Sequence, residues 1–226
     1  MVPAQPEKSI LDYLKIGEKI PFQEIWHKLM IEWGAVLNDY MRLGQDMNAW
    51  VRQRGGDLPY WHAKEETNLG FLAAAVWRLG GVCLQEYEVT RPQNGGAADL
   101  WFKVQTLSCQ VEAKGTNLAS TERDPIEQVL LQARNQLIIP QEEKASMGLA
   151  LCFVAPAITG STYDFRQLIR QFDGDLYMAA VYLPSRAMTY QGYGYPGVAL
   201  IGQVVWLPSS EAVTSEAAQI VPPHSS

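Results

Sequence analysis

The most informative part of the sequence is residues 95–115, which read GGAADLWFKVQTLSCQVEAKG. On either side of Gln105 and Thr106, polar and apolar residues largely alternate, as they do in strands whose side chains point to opposite faces of a sheet. This alternation predicts strands over residues 98–104 and 109–114, close enough in sequence to form a hairpin.

The expected hairpin brings two carboxylates together. If Gln105 and Thr106 form the turn, Asp99 pairs with Glu112, and their Cβ atoms lie roughly 5 Å apart on one face. Lys114 follows two residues later and points to the same side. Two neighbouring carboxylates repel each other unless a cation lies between them, and a hard divalent ion such as Mg²⁺ prefers oxygen ligands. The segment therefore predicts a metal site beside an ammonium group, which suits phosphodiester hydrolysis.

The flanking sequence predicts an α/β protein. Apolar residues three and four positions apart, and short apolar runs between Gly and Pro residues, indicate helices and strands respectively. Helices are expected over residues 22–52, 62 or 64 to 79, 125–138 and 163–172, and further strands over 82–90, 147–155, 176–183 and 198–207. Gly80 and Gly81 are expected to end the second helix, and Asp124 to cap the third, with Pro125 at its first position.

An Asp, twelve intervening residues and then Glu-Ala-Lys on the next strand resembles the signature of the PD-(D/E)XK nuclease superfamily. The expected order of elements over about residues 64–155 is also similar to that family's restriction-endonuclease-like core: helix, three strands, helix, strand. The resemblance implies an α/β fold with a mixed sheet flanked by helices. On this interpretation residues 1–60 are an N-terminal helical extension, 61–207 the nuclease-like core with extra C-terminal strands, and 208–226 a flexible tail.

The resemblance also implies roles for individual residues. Asp99 and Glu112 correspond to ligands of Mg²⁺ or Mn²⁺, assisted by the main-chain carbonyl of Ala113. Lys114 corresponds to the catalytic lysine. One departure is Ala98, because a proline often precedes the Asp in this family.

Two further sets of residues enter through the same resemblance. The family often adds an acid from the first core helix, here Glu65 or Glu66. Helical periodicity does not separate the two, and Glu66 is preferred. Some members carry a glutamine on the second core helix, and Gln128 and Gln132 share a face there. An ordinary polar helix face is the alternative for both glutamines.

Charge limits the class of function. The formal net charge is −6, which excludes a protein that coats nucleic acid by overall basicity. Residues 187–226 contain no Lys or Arg, so that region is not expected to contact phosphates. The leading hypothesis is a metal-dependent nuclease, acting on DNA rather than RNA, in phage defence or restriction. The alternatives are a non-catalytic scaffold of the same fold and a structural ion-pair cluster in an unrelated α/β protein. A second copy of the chain or another protein is an expected partner.

The sequence also bears on compartment. Residues 1–19 contain charges throughout and no apolar core of a signal peptide, and no run approaches the roughly 18 apolar residues of a membrane span. Cys83, Cys109 and Cys152 are an odd number without a close pair, which favours buried thiols over disulfides. A cytoplasmic protein that does not enter membranes is expected.

Overall fold

The computed structural model describes residues 11–52, 65–89, 96–117, 121–137, 147–159, 163–184, 188–190 and 192–206. Its helices are α1 (Gln23–Arg52), α2 (Glu65–Arg78), α3 (Arg123–Gln136) and α4 (Phe165–Arg170). Its strands are β1 (Tyr13–Ile16), β2 (Val82–Val89), β3 (Gly96–Val104), β4 (Leu107–Thr116), β5 (Met147–Val154), β6 (Tyr177–Tyr182), β7 (Met188–Tyr190), β8 (Tyr193–Tyr195) and β9 (Val198–Trp206).

Seven of these strands form one mixed sheet, in the order β1-β6-β9-β5-β4-β3-β2. β4 and β5 are parallel, and every other neighbouring pair in this sheet is antiparallel. A parallel pair needs a crossover connection, and α3 lies in that connection between β4 and β5. The small strands β7 and β8 form a separate hairpin. The predicted α/β class with a mixed sheet flanked by helices is confirmed.

The β3–β4 hairpin has the register that its sequence predicts. Val104 pairs with Leu107, and the ladder continues to Leu100 and Val111. Gln105 lies in the turn with a φ of 53°, a left-handed conformation that a two-residue hairpin turn requires. The ladder ends one pair before Asp99 and Glu112, so the expectation that those two residues pair directly is not met.

One face of the sheet is covered by α1 and α2. The residues of α1 that face this core recur every three or four positions, as a buried helical stripe requires: Trp26, Leu29, Met30, Trp33 and Leu37. Trp26 packs edge-on against Phe102 of β3, with 5.8 Å between ring centroids. Arg78, in the last turn of α2, contacts Asp39 of α1 with 2.5 Å between Nη2 and Oδ2.

The opposite face carries a second core beneath α3 and α4. Ile126 and Leu130 of α3 pack there with Leu168 of α4, and with side chains of β5, β6 and β9. β5 is buried along its whole length because both of its faces are covered. This explains its almost uninterrupted apolar sequence.

The helix ends follow local chemistry with one exception. Gly80 has a φ of 73°, and the N–H of Gly81 donates to the carbonyl of Val76, so the two glycines end α2 as expected. α3 begins two residues earlier than predicted: its N-cap is Glu122, not Asp124. Asp124 therefore lies in the first helical turn, where an acid is also favourable, and Pro125 is not the first helical residue.

The N-terminal region differs from the predicted helical extension. β1 is a strand that pairs with β6 at the edge of the main sheet, and the apolar face of α1 belongs to the main core. This part of the chain is therefore integrated with the rest of the fold. The predicted tail over residues 208–226 lies outside the described residues.

Two simpler expectations concern membranes and thiols. Within the part of the chain that the structure describes, no helix is long and apolar enough to cross a membrane. All three cysteines are free; Cys109 and Cys152 are buried as expected, whereas Cys83 is only partly buried.

Candidate functional site

Four polar groups meet where β3, β4 and the start of α2 come together. The Nζ atom of Lys114 lies 2.6 Å from the carbonyl oxygen of Ala113, 3.4 Å from Oε1 of Glu65 and 3.6 Å from Oδ2 of Asp99. Residues from three elements, separated by up to 49 positions in the sequence, thus surround one ammonium nitrogen. We call Asp99, Glu65, Lys114 and the Ala113 carbonyl the polar cluster.

Asp99 is held at the point where the β3–β4 ladder stops. Its Oδ2 accepts the main-chain N–H of Ala113 at 2.8 Å. A side chain thus makes a cross-strand hydrogen bond just beyond the last main-chain pair, Leu100 with Val111. This bond fixes the carboxylate over the end of β4 that carries Lys114.

Glu65 reaches the same place from the first residue of α2. Its Oε2 accepts the main-chain N–H of Gly115 at 3.0 Å, while Oε1 faces Lys114. Acids at a helix N-terminus are favourable in any case because of the helix dipole. The two contacts to β4 show that this acid also has a tertiary role, because it ties α2 to the sheet.

The polar cluster is partly buried but open to solvent. The side chains of Lys114 and Asp99 are each 24% exposed, and that of Glu65 is 25% exposed. Such shielding strengthens the ion pairs relative to those on an open surface, which contribute little. The three side chains nevertheless keep part of their surface in contact with solvent.

Burial raises the pKa of Glu65 above its ordinary value. Desolvation is the largest cause, and the negative charge of Asp99 acts in the same direction. The charge of Lys114 and the hydrogen bonds from Lys114 and Gly115 oppose the increase. The cluster therefore holds two carboxylates at some electrostatic cost, and an additional positive charge would relieve it.

The raised pKa predicts how Glu65 affects stability in metal-free buffer. The folded protein holds the Glu65 proton more tightly than the unfolded chain does. The stabilising contribution is therefore fully present below the ordinary value of 4.5 and is lost as the pH rises through the raised value. We expect the free energy of unfolding of the wild type, relative to Glu65→Gln, to decrease as the pH rises above 4.5. Urea unfolding of both proteins at several pH values measures this, and parallel stability curves would contradict it.

The acid from α2 in the polar cluster is Glu65, whereas the sequence pattern favours Glu66. Adjacent positions on a helix point about 100° apart, so only one of them can face β4. Glu66 is exposed. Glu65 is therefore the acid of α2 that contacts Lys114, and the functional role expected of Glu66 stays a prediction.

Glu112 lies on the same strand as Lys114, two residues earlier, and pairs in parallel register with Ala150 of β5. Its side chain is 1% exposed, far more buried than the members of the polar cluster. A carboxylate that is so deeply buried requires compensating partners within the protein. Its predicted role as a metal ligand stays a prediction.

Gln128 and Gln132 lie on the solvent-facing side of α3. Both are exposed, whereas Ile126, Leu130 and Ala133 form the buried side of the helix. No described hydrogen bond joins either glutamine to the polar cluster. The two residues share a face as expected, but the described contacts do not bring that face to the site.

The donors of the polar cluster fit a hard divalent cation. Among the described residues, no group of three or more His, Cys, Asp or Glu side chains is arranged to hold a metal ion. The cluster instead offers two carboxylates, from Asp99 and Glu65, and the main-chain carbonyl of Ala113. All three oxygen atoms lie within 3.6 Å of one positively charged nitrogen. Oxygen donors of this kind are those that Mg²⁺ and Mn²⁺ prefer.

The sequence does not identify two neighbours of the cluster. The main-chain N–H of Gly115 anchors Glu65, but a main-chain contact leaves no trace in side-chain patterns. Cys152 pairs with Lys114 across the parallel β4–β5 ladder and is buried. Burial, with a smaller contribution from the charge of Glu65, raises the pKa of its thiol well above the ordinary value. Cys152 is therefore a poor nucleophile although it is the ladder partner of Lys114.

No protein-family model matches the chain, and no curated protein or solved structure shows significant similarity to it. The polar cluster and the fold around it are therefore the basis for any functional conclusion.

Proposed function

We propose that this protein is a metal-dependent nuclease of the PD-(D/E)XK type that hydrolyses phosphodiester bonds, in DNA rather than RNA. The observation that carries the proposal is the convergence of Asp99, Glu65 and the Ala113 carbonyl on Lys114. Two carboxylates, a carbonyl and an ammonium group form a chemically complete set for holding a divalent ion and a scissile phosphate. A role in phage defence or restriction is part of the same proposal.

The order of elements supports the proposal. α2 is followed by the antiparallel strands β2, β3 and β4, then by α3, and then by β5 parallel to β4. This is the order of helix, three strands, helix and strand that the resemblance implies. It also has the expected consequence that Asp99 and Lys114 lie on adjacent strands.

In the proposed reaction each residue of the cluster has a separate task. Asp99, Glu65 and the Ala113 carbonyl would hold a divalent ion, which when bound supplies Lewis-acid stabilisation of the phosphate charge and a more acidic water. The main-chain N–H groups of Ala113 and Gly115 keep the two carboxylates in place. Lys114 would orient the attacking water and stabilise the charge that develops on the phosphate oxygens.

The distribution of cations suggests weak binding of nucleic acid by the chain alone. Many described basic side chains are engaged in ion pairs, namely Lys15, Lys19, Lys28, Arg78, Arg123 and Arg166. Phosphate contacts require cations that are not already neutralised, and each such contact adds to the salt dependence of binding. The proposed enzyme therefore relies on a local site, and a second copy or another protein remains its expected source of additional affinity.

The proposal is tested by incubating the purified chain with supercoiled plasmid, linear duplex, single-stranded DNA and RNA. Each substrate is tested with Mg²⁺, with Mn²⁺ and with EDTA. We expect cleavage of DNA that requires the divalent ion. Equal cleavage in EDTA would indicate a contaminating or metal-independent activity, and absence of cleavage of every substrate would contradict the proposal.

A comparison of two adjacent acids tests the assignment within α2. We expect Glu65→Gln to lower the metal-dependent rate by about 10-fold, because it removes one charged ligand but retains the shape of the side chain. Glu66→Gln is the matched control on the same helix turn, and its rate should equal that of the wild type. The initial rate of plasmid cleavage at subsaturating Mn²⁺ measures both. Loss of activity in Glu66→Gln alone would restore Glu66 as the functional acid.

A non-catalytic scaffold is the second candidate. The observation that favours it is the ion pairing of Lys114 with both carboxylates, which compensates part of their charge without a metal. A scaffold of this kind binds neither Mn²⁺ nor Mg²⁺ at the polar cluster. Titration of the wild type with Mn²⁺, beside Asp99→Asn, distinguishes this candidate from the nuclease.

A further inference from the structure

Lys114 occupies the centre of the oxygen donors that the proposed nuclease requires for a divalent ion. Its Nζ atom lies 2.6 Å from the Ala113 carbonyl, 3.4 Å from Glu65 and 3.6 Å from Asp99. A metal ion bound by the same oxygens needs ligand distances of about 2.0–2.1 Å for Mg²⁺. An ion held by the same three oxygens would lie close to the ammonium nitrogen, and two cations so close together repel each other.

We propose that Lys114 is the resident counter-cation of the site, and that a divalent ion binds by displacing its ammonium group. This inference rests on the proposed nuclease function, because it concerns the same metal site. It adds a regulatory property. Lys114 first competes with the divalent ion for the carboxylates, and after displacement it takes part in hydrolysis.

The two carboxylates have anchors that do not depend on Lys114. Asp99 accepts the N–H of Ala113 at 2.8 Å, and Glu65 accepts the N–H of Gly115 at 3.0 Å. Both anchors are main-chain groups of β4, and at these positions β4 pairs with β5 through Ala113 with Leu151 and Gly115 with Phe153. The carboxylates therefore stay in position when the flexible lysine side chain leaves, and displacement does not require the site to be rebuilt.

Displacement also reverses the charge of the site. The carboxylates of Asp99 and Glu65 contribute −2 and Lys114 contributes +1, so the three side chains carry a net charge of −1 without an ion. A divalent ion changes this sum to +1, and it frees the ammonium group to face a substrate. An anionic phosphodiester is repelled in the first state and attracted in the second. Metal binding should therefore precede productive binding of nucleic acid.

The affinity of the protein for Mn²⁺ tests the displacement. Lys114→Met removes the competing charge but keeps an unbranched side chain, and Lys103→Met is the matched control on the exposed surface of β3. We expect Lys114→Met to bind Mn²⁺ about tenfold more tightly than the wild type, since a charge-assisted hydrogen bond no longer has to be broken. Lys103→Met should bind as the wild type does. Electron paramagnetic resonance of free Mn²⁺ measures all three affinities without reference to activity.

The outcomes separate this inference from the proposed function. Tighter Mn²⁺ binding by Lys114→Met, or binding by this variant alone, supports displacement. Equal or weaker binding by Lys114→Met, with clear binding by the wild type, overturns displacement and leaves the metal site intact. Absence of Mn²⁺ binding by every protein overturns both.

A second measurement uses the wild type only and does not depend on the folding of a variant. An amine-acetylating reagent is applied with and without saturating Mg²⁺, and the modified lysines are quantified by mass spectrometry. We expect Mg²⁺ to increase the labelling of Lys114 several-fold, because its ammonium group leaves the carboxylates. Labelling of Lys103 should not change. Unchanged or reduced labelling of Lys114 in Mg²⁺ would overturn the displacement.

Discussion

Asp99→Asn is expected to lower metal-dependent DNA cleavage by about 100- to 1000-fold, the cost of removing one preorganised electrostatic group from an active site. Asparagine keeps the size of the side chain and can still accept the N–H of Ala113, so the strand contact survives. What it removes is the negative charge that the divalent ion requires. The effect should therefore appear in cleavage and in Mn²⁺ affinity, with little change in stability.

The control for Asp99→Asn is its melting temperature in EDTA. A melting temperature within a few degrees of the wild type, together with the loss of cleavage, assigns the effect to the site. Cleavage at the wild-type rate would remove Asp99 from the mechanism. Collapse of the melting temperature would show that Asp99 mainly supports the strand junction.

Lys114→Ala is expected to lower the cleavage rate by about 100-fold at saturating Mn²⁺, because the group that orients the water and stabilises the phosphate charge is lost. Saturating Mn²⁺ matters here, since removal of the Lys114 charge is also expected to strengthen metal binding. A variant that binds the ion more tightly and cleaves more slowly would separate the two roles of Lys114. Single-turnover cleavage with the ion in excess measures the chemical step.

Lys103→Ala is the matched control for the lysine substitution. Lys103 lies on β3 four residues after Asp99, and is exposed. Its loss removes the same charge from the surface without touching the polar cluster. Equal losses in Lys103→Ala and Lys114→Ala would indicate a general electrostatic effect on DNA binding rather than a catalytic role.

The sequence predicts best what depends on near neighbours in the chain. The β3–β4 register follows from alternation on both sides of a two-residue turn, and the end of α2 follows from Gly80 and Gly81. The α/β class follows from the order in which helical and strand-like spacings of apolar residues succeed one another along the chain. These features are local, so a single sequence contains the information that specifies them.

The features that the sequence misses depend on distant contacts. β1 has only four residues, all of them partly buried, and β7 has three. Neither strand is long enough to show an alternation of polar and apolar residues. β9 lies between β5 and β6 in the sheet. That order is fixed by packing of whole elements, and no short pattern encodes it.

In the candidate site, too, the sequence predicts contacts between neighbouring strands but misses contacts between distant elements. Asp99 and Lys114 come together because adjacent strands place them there, and alternation is sufficient to predict this. The choice of Glu65 over Glu66 depends on the rotation of α2 about its axis, which is set by buried residues such as Leu69, Leu72 and Val76. The contact between Lys114 and Glu65 joins a strand to a helix distant in the sequence, and the apolar pattern does not specify it.

We propose that the polar cluster is a divalent-ion-dependent phosphodiesterase site, so cleavage should require both the ion and Asp99. The initial rate of supercoiled plasmid cleavage, measured in Mn²⁺ and in EDTA for the wild type and Asp99→Asn at equal concentrations, tests it most directly. The predicted result is cleavage by the wild type in Mn²⁺ only, reduced by about 100-fold or more in Asp99→Asn. Cleavage by both proteins at the same rate, or by neither protein in any metal, would contradict it.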